Sequence, residues 1–240
     1  DQASSEGSQL IVFTEAFIPG YPAWIWRLRP GSDWSTNEAL HKRLLENAVD
    51  LETDRLDPLY QAARRHQVTV VCGMHERDHL SSRATLYNTV VVIGPGGALL
   101  NRHRKLMPTN PERMVWGTGD ASGLRVVDTP VGRIGTLICW ENYMPLARFA
   151  LYAQGIDILI APTYDSGENW IGTMQHISRE GGCWVISAGV ALRNRDLPED
   201  FPGRERLYPA EEDWINPGDS TVTAPGGEIV AGPLHEQQDI

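Results

Sequence analysis

Residues 132–145 read GRIGTLICWENYMP and predict a strand that leads into a helix. An apolar run delivers Cys139 to the predicted strand end, and Pro145 suits a first helical turn, where its missing N–H costs nothing. Apolar residues then recur at i, i+3, i+4 and i+7 before a stop at Gly155, and residues 156–162 predict the next buried strand. The stretch therefore predicts one strand–helix–strand unit of an α/β fold.

Cys139 has two interpretations at this point. A cysteine between a strand and a helix N-terminus lies near backbone N–H donors and the positive end of a helix dipole, which favours the thiolate. A free cysteine also packs as a small hydrophobic residue, and for a lone cysteine this is the commoner case. Cys72 and Cys183 fall inside predicted strands, where we expect packing roles. A nucleophilic Cys139 needs support from other residues.

Length, charge and residue usage indicate how many domains the chain forms and which partners and locations are disfavoured. The 240 residues are expected to form a single domain over 1–240, and the net charge of −10, with no basic run beyond residues 102–105, disfavours a nucleic-acid partner. No apolar run reaches the roughly 18 residues of a membrane span, and no signal segment opens the chain. Three widely spaced cysteines make no disulfide framework and fit a cytoplasmic location. The histidines lack metal-ligand spacing, so we expect no metal site.

The remaining chain alternates strand and helix patterns. Buried strands are predicted at residues 10–13, 68–73 and 183–192. Helices are predicted at residues 36–50, 57–66 and 169–181. Two hairpins with glycine-containing turns are predicted around residues 94–97 and 225–228. Residues 193–217 are charged and proline-rich, and we expect a loop there without regular structure. This order predicts a mixed sheet with helices on more than one face.

Three polar side chains each follow an apolar strand. Glu15 comes after LIVF, Lys105 after ALLNRHR and Cys139 after GTLI. Sites of α/β proteins form outside strand ends, where a carboxylate can take the proton of a thiol and an ammonium can stabilise negative charge. Taken singly, Glu15 is equally explained as a loop cap and Lys105 as a solvated lysine. Together the three predict a site for nucleophilic hydrolysis.

Several motifs then resemble the nitrilase superfamily of carbon–nitrogen hydrolases, and its nitrilase branch in particular. The matching segments are VFTEAFIPGYP, HRKLMPT, ERMVWGTGD, CWENYMP, IAPTYDSGENW, QHISREGGCWV and NPGDS. Each segment is weak evidence alone, but their order and separations make the resemblance specific. It extends from about residue 7 to the end of the chain.

The resemblance implies a four-layer α-β-β-α sandwich. It also implies that Glu15 is the general base, Lys105 the stabilising cation, Cys139 the nucleophile and Glu112 a second glutamate that orients the site. The candidate substrate contacts are Trp140, Tyr164 and Trp170, and the N–H of Trp140 is a candidate oxyanion donor.

The chain departs from the family pattern in two places. Thr14 stands where proline usually precedes the catalytic glutamate. Relatives also begin with a further strand and helix, about 25–30 residues, and continue beyond the second hairpin. We therefore expect a fragment truncated at both ends.

The implied reaction converts a nitrile to a carboxylic acid and ammonia through thioimidate and thioester intermediates on Cys139. The resemblance also implies that the reaction needs no metal and no organic cofactor. One alternative keeps the fold but hydrolyses amides, or hydrates cyanide or a nitrile only to the amide. A second alternative, from another class, is an inactive truncated assembly protein. Family members form dimers and spiral filaments, so we expect a homo-oligomer.

Overall fold

The computed structural model describes residues 1–78, 82–209 and 214–239. The helices are α1 (Gln2–Ser5), α2 (Trp34–Asn47), α3 (Asp57–His66), α4 (Pro145–Tyr152), α5 (Glu168–Gly181) and α6 (Arg204–Leu207). The strands are β1 (Leu10–Val12), β2 (Thr69–Arg77), β3 (Leu86–Ile93), β4 (Leu99–Arg104), β5 (Val127–Thr129), β6 (Gly132–Thr136), β7 (Ile158–Thr163), β8 (Trp184–Gly189), β9 (Ala191–Arg193), β10 (Trp214–Thr223) and β11 (Ile229–His235). None of the helices in these ranges has the length and apolar character that a membrane span requires.

The strands form two mixed sheets. The first has the order β1-β2-β3-β4, and the second has the order β11-β10-β8-β7-β6-β5, with β9 paired to β10. β1 and β2 are parallel, as are β6, β7 and β8, whereas the other named pairs are antiparallel. Both predicted glycine-turn hairpins are confirmed, as β3–β4 and β10–β11.

The alternation of side chains along the strands builds the layers. In β2, Val70 and Cys72 pack with Ala63 of α3, whereas Val71 faces the opposite way and packs with Ile134 and Ile160 of the second sheet. Successive strand residues point to opposite faces, so a continuous apolar run serves a helix layer and a sheet layer at once. The other face of the second sheet packs against α4 and α5. The expected four-layer α-β-β-α sandwich is confirmed.

Two sequence-based boundaries are wrong. The strand predicted at residues 183–192 is divided after Gly189, because β10 passes so close that a Cβ there would collide with the carbonyl oxygen of Gly218. Residues 193–217 contain α6 and the start of β10, since Leu207 and Tyr208 are buried and anchor the segment to the core. Residues 210–213 of that predicted loop lie outside the described residues.

Candidate active site

Three strand ends bring Glu15, Lys105 and Cys139 into one buried cluster. Glu15 follows β1 by three residues, Lys105 directly follows β4, and Cys139 follows β6 by three residues. Their exposed fractions are 0%, 1% and 4%. The sequence-based expectation that these strand ends converge is met by the geometry.

The ammonium of Lys105 lies between two carboxylates. Its Nζ donates to Oε1 of Glu15 at 2.9 Å and to Oε2 of Glu112 at 2.8 Å. All three side chains are buried, and a buried ion is tolerated only when it is paired and hydrogen-bonded. With the thiol neutral, two carboxylates and one ammonium leave a formal charge of −1 in the cluster.

The Glu15 carboxylate accepts hydrogen bonds on both oxygens. Oε1 also accepts from Nδ2 of Asn88 at 2.7 Å, and Oε2 accepts from the backbone N–H of Tyr164 at 2.7 Å. Burial raises the pKa of Glu15, and the charge of Glu112 raises it further, against the opposing effect of Lys105. A carboxylate with a raised pKa is a stronger base, which suits it to accept a thiol proton.

Glu112 holds Lys105 from the opposite side and shapes its own loop. Its Oε1 accepts from the hydroxyl of Tyr21 at 2.8 Å, and its Oε2 accepts from the backbone N–H of Thr109 at 2.6 Å. The second bond is half of a capping box for the 3-10 turn at Asn110–Met114. Glu112 therefore both pairs with Lys105 and caps its own loop.

The Cys139 thiol is neutral at pH 7, contrary to the sequence-based expectation of a thiolate. Burial raises its pKa to about 12, and the charge of Glu15 adds to this, while Lys105 and a hydrogen bond with Thr163 oppose the rise. The helix that begins at Pro145 is too far along the chain to help, since Cys139–Tyr143 form a 3-10 turn first. Attack by this sulfur requires a base, and Glu15 is in the same cluster.

Lys105 is firmly charged. Burial by itself would lower its pKa, but the negative charges of Glu15 and Glu112 outweigh burial and raise the pKa above the ordinary lysine value. A lysine held in this state supplies a fixed positive charge rather than a proton.

Gly73 of β2 makes room for the Glu15 turn. A Cβ at this position would collide with the carbonyl oxygen of Thr14 and would lie 2.7 Å from the backbone N of Ala16. Ala16 itself has a φ of 51°, a conformation that non-glycine residues seldom adopt. The strand and the turn can therefore touch only because residue 73 has no side chain.

The three predicted substrate contacts have different locations. Tyr164 stacks on Tyr21, with ring centroids 3.8 Å apart, beside the cluster. The Trp140 ring is half exposed and donates to Oδ2 of Asp165 at 2.8 Å. Trp170 belongs to the first turn of α5 and is buried in the core, where its indole donates to Oγ of Ser187 at 2.8 Å. Both indoles are thus hydrogen-bonded to groups outside the cluster.

Sequence reasoning missed Tyr21, Asn88 and Thr163. Each is a polar side chain that contacts a cluster residue. Asn88 had a detectable signal, because it is the one amide in the apolar strand LYNTVVVI. A polar side chain buried in a strand needs a partner, and here the partner is Glu15.

A separate open cavity of about 1000 Å³ lies between the Thr14–Tyr21 turn and residues 188–198. Thr14 and Tyr21 line it, whereas Glu15, Lys105 and Cys139 do not. Within the described ranges, no group of three or more His, Cys, Asp or Glu side chains is arranged to hold a metal ion.

Sequence comparisons match the chain to a carbon-nitrogen hydrolase family model and to nitrilases. The family model described as carbon-nitrogen hydrolase matches residues 1–240. A bifunctional nitrilase/nitrile hydratase of Lupinus angustifolius is 41% identical over 242 residues, which cover 98% of this chain and 67% of that protein. Nitrilase 2 of Arabidopsis thaliana is 39% identical over 243 residues, which cover 100% of this chain and 70% of that protein.

Solved structures share the fold at lower identity. A Saccharomyces cerevisiae member of branch 10 of the nitrilase superfamily has a TM-score of 0.70 at 20% identity, covering 98% of this chain and 77% of that one. An amidase from Nesterenkonia sp. has a TM-score of 0.67 at 19% identity, covering 98% and 76%.

Proposed function

The chain belongs to the carbon-nitrogen hydrolase family, and on that premise we propose that it hydrolyses a nitrile to a carboxylic acid and ammonia. The proposal is carried by one observation, the neutral Cys139 thiol in the same buried cluster as the Glu15 carboxylate and the Lys105 ammonium. The names of relatives at 38–42% identity, which are nitrilases and bifunctional nitrilase/nitrile hydratases, support a nitrile as the substrate.

The first half of the proposed reaction forms a covalent thioimidate. The sulfur of Cys139 attacks the nitrile carbon, its proton passes to Glu15, and Glu15 returns a proton to the nitrile nitrogen. Transfer to Glu15 keeps the charge of the cluster at −1, whereas a free thiolate would bring it to −2. Lys105 stabilises the negative charge that develops on nitrogen.

The second half uses two water molecules. The first water adds to the thioimidate carbon, and the resulting tetrahedral species expels ammonia to leave a thioester on Cys139. The second water, deprotonated by Glu15, attacks the thioester and releases the acid with the free thiol. The backbone N–H of Trp140, directly after the nucleophile, is the proposed donor to the oxygen that becomes charged.

A second candidate is partial hydration to the amide. The tetrahedral species carries both an amino group and a sulfur, and expulsion of sulfur instead of ammonia yields an amide. Relatives named bifunctional nitrilase/nitrile hydratase favour testing this branch. An amidase, which would enter at the tetrahedral stage from an amide, uses the same residues.

The test is a panel of aliphatic nitriles, aromatic nitriles and cyanide, each paired with its amide, with ammonia, acid and amide quantified separately. Acid and ammonia in equal amounts support the nitrilase proposal. Amide as the sole product supports the hydratase branch, and turnover of amides alone refutes nitrile hydrolysis. If no compound is turned over and no thiol reagent labels Cys139, the chain is an inactive member of the family.

We also propose that the protein is a homo-oligomer. Trp140, Tyr143, Leu146 and Phe149 recur every three residues and are 48%, 43%, 83% and 65% exposed. A contiguous apolar strip of this kind is typical of a protein–protein interface. Light scattering of the wild type and of Leu146→Glu tests it: a mass above that of one chain, lowered by the substitution, supports the proposal, and a monomeric wild type refutes it.

A further inference from the structure

The carboxylate of Glu141, two residues after Cys139, accepts hydrogen bonds from three donors. Oε2 accepts from the backbone N–H of Ile138 at 2.6 Å, and Oε1 accepts from the backbone N–H of Leu106 at 2.7 Å. Nε2 of His103 lies 3.0 Å from Oε1 and 2.9 Å from Oε2. Glu141 and His103 are both wholly buried. The mechanism proposed above gives neither residue a role.

The two backbone donors have a specific place in the chain. Ile138 directly precedes Cys139, and Leu106 directly follows Lys105. β4 and β6 belong to different sheets, so no strand pairing fixes the distance between these two segments. One carboxylate therefore joins the segment of the nucleophile to the segment of the cation.

The turn that carries Cys139 requires such support. Cys139 has a φ of 51°, a left-handed conformation that costs a non-glycine residue free energy and persists only when its surroundings enforce it. Besides Glu141, the side chain of Asn142 donates to the carbonyl oxygens of Leu137 and Cys139 at 3.0 and 2.8 Å. Glu141 is the member of this turn that also accepts from the backbone N–H of Leu106, the residue after Lys105.

The His103 ring hydrogen-bonds through one of its two nitrogens. Its Nε2 faces two carboxylate oxygens, which only accept, so Nε2 carries the proton. Its Nδ1 is buried and meets no hydrogen-bond partner among the described residues. The ring is therefore held by Glu141 and by packing, and its N–H keeps both Glu141 oxygens aimed at the two backbone donors.

We propose that Glu141 and His103 are positioning residues that set the distance between Cys139 and Lys105. This inference rests on the function proposed above, because its catalytic consequence needs Cys139 as the nucleophile. A misplacement of about 1 Å costs roughly 100-fold in rate when reacting groups must meet in one geometry. Loss of the carboxylate is therefore expected to slow chemistry while leaving the substrate pocket intact.

The test compares Glu141→Gln, Glu141→Asp and His103→Gln with the wild type. A glutamine has one acceptor oxygen, so its NH₂ group must face one of the two backbone donors. We expect Glu141→Gln to lower kcat about 100-fold, with KM changed less than about 3-fold. Glu141→Asp keeps two acceptors at a shorter reach and is expected to restore part of kcat. His103→Gln is expected to lie between the two.

Three further measurements separate positioning from folding. The thermal unfolding midpoint reports whether each variant is folded, and the rate of Cys139 alkylation by iodoacetamide reports on the thiol without any substrate. Asp33→Asn is the matched control, since Asp33 is a buried carboxylate that accepts from a backbone N–H and from two arginines in another part of the fold. We expect the control to lose stability but to keep wild-type kcat and alkylation rate.

The outcomes are distinguishable. Slower alkylation and lower kcat in a folded Glu141 variant, with both unchanged in Asp33→Asn, support the proposal. Folded Glu141→Gln and His103→Gln variants with wild-type kcat and alkylation overturn it. If Glu141→Gln does not fold, Glu141→Asp and His103→Gln decide in the same way. If Cys139→Ala is as active as the wild type, the proposed function itself has failed, whereas an inactive Cys139→Ala beside fully active Glu141 variants refutes only the positioning role.

Discussion

Cys72 lies in a strand of the first sheet and Cys139 in the turn that follows a strand of the second sheet, and the two are alike in most properties of a single side chain. They are 1% and 4% exposed, and burial raises the pKa of each thiol to about 12. Cys72 lies within β2 among apolar residues, whereas Cys139 lies beyond the end of β6 beside a carboxylate and an ammonium. The difference teaches that the proposed nucleophile is distinguished by its neighbours, and not by burial or acidity.

Replacing the two sulfurs tests this contrast most directly. We expect Cys139→Ala to lower kcat at least about 10⁴-fold, because the covalent route is removed. Cys72→Ala is expected to keep kcat within about 2-fold and to lose about 1–2 kcal/mol of stability, as for other losses of buried volume. Steady-state rates and thermal unfolding of both variants provide the measurement. Equal activity of the two would remove the contrast.

Replacing Glu15 leaves Cys139 without its proposed base, so that it resembles Cys72, which has apolar neighbours. We expect Glu15→Gln to lower kcat by about 10²–10⁴-fold with a small change in KM, because the amide cannot accept the thiol proton. The matched control is Asp33→Asn, another carboxylate-to-amide change at a buried position. Wild-type turnover by folded Glu15→Gln would show that Cys139 does not depend on this neighbour.

The pH dependence of Cys139 should also follow Glu15. Because the pKa of Glu15 is raised, its base form is lost as pH falls through a value above the ordinary 4.5. We therefore expect kcat/KM and the alkylation rate of Cys139 to decline on the acid side with a midpoint above pH 4.5, and Glu15→Gln to lack this limb. A midpoint at or below 4.5 in the wild type would contradict the raised pKa.

Sequence alone predicted most of the strands, both hairpins and the convergence of Glu15, Lys105 and Cys139. Apolar runs indicate the buried strands, and the three strand ends follow from them. In α4, by contrast, the recurring apolar residues Leu146 and Phe149 are exposed. The helix beginning at Pro145 was predicted at the right residue, but the 3-10 turn before it was not. That turn depends on tertiary contacts from Glu141 and Asn142, which periodicity does not encode.

The state of the thiol was the main error in the site. A helix N-terminus would favour a thiolate, but burial raises the Cys139 pKa instead. Desolvation depends on how closely two sheets and a loop approach one another, and one sequence does not report this. The partners of the Trp140 and Trp170 indoles were not predictable for the same reason, since residue type gives no direction in space.

His75, in the same strand as Cys72, is expected to affect the pH dependence of stability far more than activity. Its Nδ1 accepts from the Trp116 indole at 2.9 Å, and burial lowers its pKa to about 4. The unfolded chain binds a proton near pH 6.5, so it takes up protons before the native state does. Stability therefore falls as pH drops from 6.5 towards 4, by up to roughly 3 kcal/mol.

Urea unfolding at pH 7 and pH 4.5 measures this loss. His75→Gln should have lower stability at pH 7 and a smaller difference between the two pH values, with kcat at pH 7 within about 3-fold of the wild type. An unchanged pH difference in the variant would exclude His75 as its source.

Gly73 has a consequence for how this enzyme can diversify. Since a Cβ there would enter the backbone of the Glu15 turn, every substitution at residue 73 displaces the proposed general base as well as the strand. A randomised library of the surrounding loop should therefore return many sequences but one residue at this position. We expect substrate range to change through substitutions of the residues that line the pocket, while the contact between Gly73 and the Glu15 turn stays the same.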